Sequence, residues 1–151
     1  MKKMTVLTTA TLLLAAGVAN AADKTDASLL ATDPYQLSSH VLDTSMGKGA
    51  SSVEVKLFKA ADDKSETWTL VDTQKTDSNG RIKTFLPREK GNAADKLGKY
   101  KLTFATGAYY QAQKKETFYP NVSVEFSISD NTHYHVPITL TQYGYSTYRG
   151  N

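Results

Sequence analysis

The sequence predicts an all-β fold: an antiparallel β-sandwich of seven to eight short strands with one short helix. Three observations carry that expectation. Apolar and polar residues alternate with period two in short runs, as in KYKLTFA (99–105) and VSVEFSI (122–128), which is how strands with one buried face read. Glycine- and asparagine-containing turns such as TSMGKGAS and TDSNG punctuate the runs,. One stretch alone, GAYYQAQKK, shifts to a helical spacing.

Taken in order, QLSSHVLD (36–43) is the first strand, with Leu37, Ser39 and Val41 on one side and Ser38, His40 and Leu42 on the other,. Two glycines make 44–51 a turn. Val53, Val55 and Leu57 then alternate with Glu54, Lys56 and Phe58, a strand with one face buried, and 61–65 is a charged loop. Residues 67–75 carry Trp68, Leu70 and Asp72 at period two. Thr76-Asp77-Ser78-Asn79-Gly80 is a tight turn, 81–86 leaves it as a strand, and 87–97 is a loop,. After the strand at 99–105, Tyr109 and Ala112 share a helical face within 107–115, and Phe118-Tyr119-Pro120 ends that helix,. Val122, Val124, Phe126 and Ile128 form the next strand, and 129–131 turns. The last two strands span 133–141 and 145–149, with Gly144 at the bend.

The first residues stand apart from this pattern. Met1-Lys2-Lys3 is basic, Thr5 to Val18 is uncharged and apolar or small, and Ala19-Asn20-Ala21 has the small-x-small form of a cleavage site. This reads as a secretory signal peptide over 1–21; about 14 residues fall short of the roughly 20 that a spanning helix needs. Residues 22–35 read as a flexible lead and 36–151 as one domain. Cleavage after Ala21 leaves 130 of the 151 residues and removes two lysines, so 16 basic residues face 15 acidic ones, a net charge of +1. The charges are interleaved, which argues against nucleic-acid binding, and no second apolar run suggests a membrane segment. There is no cysteine, so the core or assembly must hold the domain without disulfides. The Lys-Lys start and the Ala-x-Ala site suit export to a Gram-negative periplasm.

Histidine is scarce: His40, His133 and His135 are the only three. In HYHVP, His133 and His135 point to one face of their strand and Tyr134 to the other. Two chemistries suit such a pair. One is metal binding, with His40 as a third ligand. The other is acid–base work by imidazoles near their ordinary pKa of about 6.5. Arg81, directly after Asn79-Gly80, is either a surface cation or a planar fork aimed at a substrate oxygen. Tyr143, Tyr145 and Tyr148 give the last strand rings with polar tips, suited to packing against another subunit. No Gly-x-Ser-x-Gly, phosphate-cradling glycine loop or HExxH is present,, so hydrolysis by this chain requires an activated water.

The set LSSHVLDTSMGKGA, TDSNGR, FYPNVSVEF, HYHVP and YGYSTYRGN resembles the 5-hydroxyisourate hydrolases, the transthyretin-like proteins of purine catabolism, from about residue 36 to 151. The resemblance implies a transthyretin-type sandwich assembled as a homotetramer, a dimer of dimers, with active sites built by two subunits in the channel between dimers. It implies His40, Arg81 and His135 as catalytic residues. Tyr148, Arg149, Gly150 and the terminal Asn151 would join His40 and Arg81 in binding substrate. It further implies hydrolysis of 5-hydroxyisourate to 2-oxo-4-hydroxy-4-carboxy-5-ureidoimidazoline without metal or cofactor. Three departures from the family pattern stand out: Asn151 in place of a terminal Ser, Gly47-Lys48-Gly49-Ala50 without the usual Pro, and Thr139 and Thr141 in place of apolar residues. A His-based metal protein using His40, His133 and His135, and a small-ligand carrier, are the alternatives.

Overall fold

The computed structural model describes residues 33–88 and 96–150. The expected signal peptide (1–21), the expected lead (22–35) up to residue 32, part of the expected 87–97 loop and Asn151 lie outside the described residues. The elements are β1 (Tyr35–Asp43), β2 (Lys48–Gly49), β3 (Glu54–Ala60), β4 (Trp68–Lys75), β5 (Arg81–Pro87), β6 (Gly98–Phe104), α1 (Thr106–Ala112), β7 (Val122–Ile128), β8 (Tyr134–His135), β9 (Ile138–Thr141) and β10 (Gly144–Thr147). They form two sheets. One runs β4-β3-β6-β7; the other runs β10-β9-β1-β2, with β5 and β8 also paired to β1. Among the described residues no helix is long and apolar enough to cross a membrane.

The alternation read from the sequence is what closes the sandwich. Leu37, Val41, Ile82, Phe85, Ile138 and Leu140 from the first sheet meet Val55, Leu57, Tyr100, Leu102, Phe104 and Val122 from the second, each at most 3% exposed. Burying a side chain of this size stabilises by about 1.5–3 kcal/mol. The helix caps one end of the core and sends Tyr110 fully into it.

Three local departures from simple alternation shape the functional face. First, β1 and β5 shift register between Leu37 and Ser39. This bulge lets Ile82 and Phe85, three residues apart, both face the core,. Second, the strand expected over 133–141 is two strands, β8 and β9, both parallel to β1. Pro137 lies between them and has no N–H for the ladder; Val136 N–H instead donates to the Ser38 carbonyl at 3.0 Å. Third, the expected strand at 145–149 is already over at Thr147, so Tyr148 and Arg149 leave the sheet. Elsewhere, β4 is an edge strand that buries little: Leu70 is 52% exposed, and Trp68 serves as a platform for Lys101, 4.1 Å from its ring centre, rather than as core,. The threonines at 139 and 141 are satisfied within the β9–β10 hairpin, Thr139 with Ser146 at 2.8 Å and Thr141 with the Gly144 carbonyl at 3.2 Å.

Candidate active site

The turn before β5 is built to aim Arg81. The Asp77 carboxylate accepts from the backbone N–H groups of Asn79 and Arg81, both at 2.8 Å. Gly80 sits at φ +77°, and a Cβ there would lie 2.4 Å from the Val41 carbonyl oxygen. A Cβ on Gly49 would lie 2.0 Å from the Asn79 oxygen. Both glycines are therefore required for the turn to lie against β1 and β2, which gives the Gly47-Lys48-Gly49 segment a packing role despite its missing proline.

This close approach brings Arg81 opposite His40 as a cross-strand pair. His40 Nε2 lies 3.0 Å from the Asn79 carbonyl oxygen. A carbonyl only accepts, so Nε2 carries the hydrogen and Nδ1 keeps the lone pair. Partial burial, then the Arg81 charge, lowers the His40 pKa below 6.5, against the opposing pull of the Asn79 carbonyl and Asp77,. Arg81 itself is exposed, and among the described residues no carboxylate forms a salt bridge with it.

His135 reaches the same face from β8. Its register partner is Ser38, two residues before His40 and hence on the same side of β1,. Ser38 Oγ lies 2.8 Å from His135 Nδ1 and 2.8 Å from His133 Nε2. Burial comes first, then the charge of Arg81, then His133 and His40, in lowering the His135 pKa below 6.5,. Ser38, Arg81, Lys83, His133 and His135 line one small cleft of about 190 Å³. Tyr134 points the other way, into the core.

The C-terminal segment closes on His135. Gly150 N–H donates to the His135 carbonyl at 2.9 Å. A Cβ on Gly150 would stand 2.5 Å from His135 Cδ2, closer than any real contact, so the glycine lets the chain pass flat against the imidazole. Gly150→Ala must push the ring or the chain end aside. We expect kcat to fall about 10- to 100-fold, as when the support of a reactive group is lost, with the melting temperature within a few degrees of wild type; steady-state turnover and thermal unfolding check it.

The structure thus gathers His40, Arg81, His135 and Gly150 on one face. It places Tyr148 and Arg149 elsewhere in the same protomer. Tyr148 is 59% exposed, and the Arg149 guanidinium lies over the Tyr134 ring, 4.9 Å from its centre. Both line a separate cleft with Phe126 and Tyr134. Asn151 lies outside the described residues. Two residues of the His135 surroundings were not singled out from the sequence, Ser38 and Lys83. The strand alternation already put Ser38 beside His40, but only the β1–β8 register shows that it meets two histidines. A larger groove of about 500 Å³ between α1 and the β1–β3 connection holds none of the three histidines.

Chemically, the face offers two imidazoles, each with a lone-pair ring nitrogen once neutral, beside a guanidinium that forms no salt bridge among the described residues. That is suited to deprotonating a water and to holding a developing oxyanion. Among the described residues no three His, Cys, Asp or Glu side chains converge as metal ligands; the Ser38 hydroxyl stands between His133 and His135 instead.

Comparison with known proteins bears on this chemistry. The HIUase/Transthyretin family model matches residues 37–150. A 5-hydroxyisourate hydrolase from Salmonella typhi is 48% identical over 123 residues, 81% of this chain and 85% of that protein. Among solved structures, Klebsiella pneumoniae 5-hydroxyisourate hydrolase superposes with a TM-score of 0.62 at 29% identity, covering 78% of this chain and 94% of the other. Sea bream transthyretin in complex with thyroxine superposes with a TM-score of 0.66 at 28% identity, covering 76% and 94%.

Proposed function

The chain belongs to the HIUase/transthyretin family, and from that premise we propose how its site works. The protein is a hydrolase of 5-hydroxyisourate, acting in urate degradation. The observation that carries the mechanism is the gathering of two imidazoles with Arg81, His40 as its cross-strand partner and His135 in the same cleft, both with pKa values lowered. His135 takes a proton from the attacking water at Nε2. His40, held by the Asn79 carbonyl, offers Nδ1 to the same water and fixes its direction. As water adds to the ring carbonyl, negative charge gathers on its oxygen, and the Arg81 guanidinium stabilises it. The oxyanion then collapses, the C–N bond breaks, and the protonated base returns its proton to the leaving nitrogen. A carrier of apolar ligands has no use for this arrangement of neutral imidazoles around a cation.

The working protein is a homotetramer, a dimer of dimers. The exposed tyrosines at 143, 145 and 148, before, on and after the edge strand β10, support this, because amphipathic rings along the open edge of a sheet suit a subunit contact. In that assembly Tyr148, Arg149, Gly150 and Asn151 of the chain end bind substrate in the inter-dimer channel. The exported, periplasmic location rests on the basic start, the apolar run and the Ala19-Asn20-Ala21 site,.

The test generates 5-hydroxyisourate with urate oxidase and follows its ultraviolet decay with and without the purified mature protein. Clear acceleration over the spontaneous decay is expected. Decay at the spontaneous rate in the presence of folded tetramer would overturn the reading.

A further inference from the structure

We propose that Ser38 and His133 form a proton wire behind His135, fixing its tautomer and carrying the positive charge it gains on taking a proton from water out to the side of Asp33. This inference rests on the hydrolase reading above.

The wire follows from donors and acceptors. His133 Nδ1 lies 2.9 Å from the Tyr35 carbonyl oxygen and 3.1 Å from Asp33 Oδ2. Both are acceptors, so Nδ1 carries a hydrogen. In neutral His133 the other nitrogen, Nε2, is then a lone pair, and it can only accept from Ser38 Oγ at 2.8 Å. Ser38 has one hydrogen and has now given it. Its oxygen must therefore accept from His135 Nδ1, also at 2.8 Å. That leaves His135 with its lone pair on Nε2, the nitrogen not engaged by Ser38. The sequence of contacts, from the Tyr35 carbonyl inward, sets the catalytic tautomer.

The same chain can move charge. When Nε2 of His135 takes a proton from water, the imidazolium sits in a poor place: it is half-buried and flanked by Arg81 from β5 and by His40 on β1, all opposing a positive charge, with Lys83 of β5 also in the cleft. The Nδ1 proton of His135 can pass to Ser38 Oγ while the Ser38 hydrogen passes to Nε2 of His133. Two N–H or O–H bonds break and two form. His135 is again neutral, now with its hydrogen on Nε2, and His133 is the imidazolium, with Asp33 beside it. The Nε2 hydrogen of His135 then goes to the leaving nitrogen, and the wire runs backward to its starting state. His133 thus acts on the base through Ser38, as a positioning residue.

The experiment has two arms. Nitrogen NMR on 15N-His-labelled tetramer, above the titration of His135, is expected to show His135 with its hydrogen on Nδ1 in wild type and to lose that preference in Ser38→Ala. A wild-type His135 carrying its hydrogen on Nε2 would overturn the wire. In turnover, Ser38→Ala and His133→Gln are expected to lower kcat about 10- to 100-fold with KM within about twofold, Ser38→Thr to recover most of it, and the proton inventory in mixed H2O/D2O to change from bowed in wild type to linear in both impaired variants. Wild-type kcat in His133→Gln, or an inventory of unchanged shape, overturns the wire while a dead His135→Ala leaves the hydrolase reading standing. If wild type itself fails to accelerate the decay, the function reading falls, and the tautomer of His135 decides the wire on its own.

Discussion

Arg81→Ala is expected to lower kcat/KM for 5-hydroxyisourate by about 100- to 1,000-fold, the usual loss when one preorganised oxyanion stabiliser is removed. The magnitude follows from how the guanidinium is held. Its backbone is fixed by Asp77 through a 2.8 Å hydrogen bond, its strand partner is His40, and among the described residues no carboxylate forms a salt bridge with it. The side chain is exposed in the protomer and forms no part of the core, so the melting temperature should stay within a degree or two. Arg81→Lys should recover only a small part, because an ammonium is a point charge without the planar fork. A second signature accompanies the loss. The Arg81 charge is among the causes that lower the pKa values of both His40 and His135. Removing a positive neighbour eases protonation, so the acid limb of the residual rate should move to higher pH. Residual activity near wild type, or a limb that stays in place, would show that Arg81 is not at the reacting centre.

How far the sequence foretells this site depends on the kind of contact. Alternation within a strand is local, so the face shared by Ser38 and His40 and the face shared by His133 and His135 could both be read from period two. The meeting of those two faces could not, because β1 and β8 lie almost a hundred residues apart and pair in parallel, a register no short-range pattern encodes. The same holds for the break at Pro137: the proline is visible, but that both halves of the strand continue along β1 is a tertiary fact. Gly150 was legible as part of the STYRG end only through resemblance; its reason, the contact with the His135 ring, is steric and appears only in three dimensions. Tyr148 and Arg149 show the reverse case. Resemblance groups them with the histidines, whereas in the protomer Arg149 lies over Tyr134 and both line a separate cleft.

His135→Ala carries the largest expected effect: a fall in kcat of about 1,000-fold, within the range that a positioned general base contributes. The backbone bridge to Gly150 survives the substitution, so the C-terminal segment keeps its place and a space the size of the ring opens beside it. Added imidazole should therefore restore part of the rate, which a variant inactive through misfolding would not show. The wild-type pH profile gives the complementary check. A group whose pKa is lowered holds its proton less tightly, so neutral His135 persists below the ordinary 6.5,. The acid limb should therefore be centred below 6.5, with more than half of the plateau rate remaining at pH 6.5,. In His135→Ala that limb should vanish or be replaced by the one set by His40, whose pKa is also lowered. A wild-type limb centred at or above 6.5 would place the base on a group that is neither buried nor beside Arg81, and full turnover in the variant would remove His135 from the chemistry altogether.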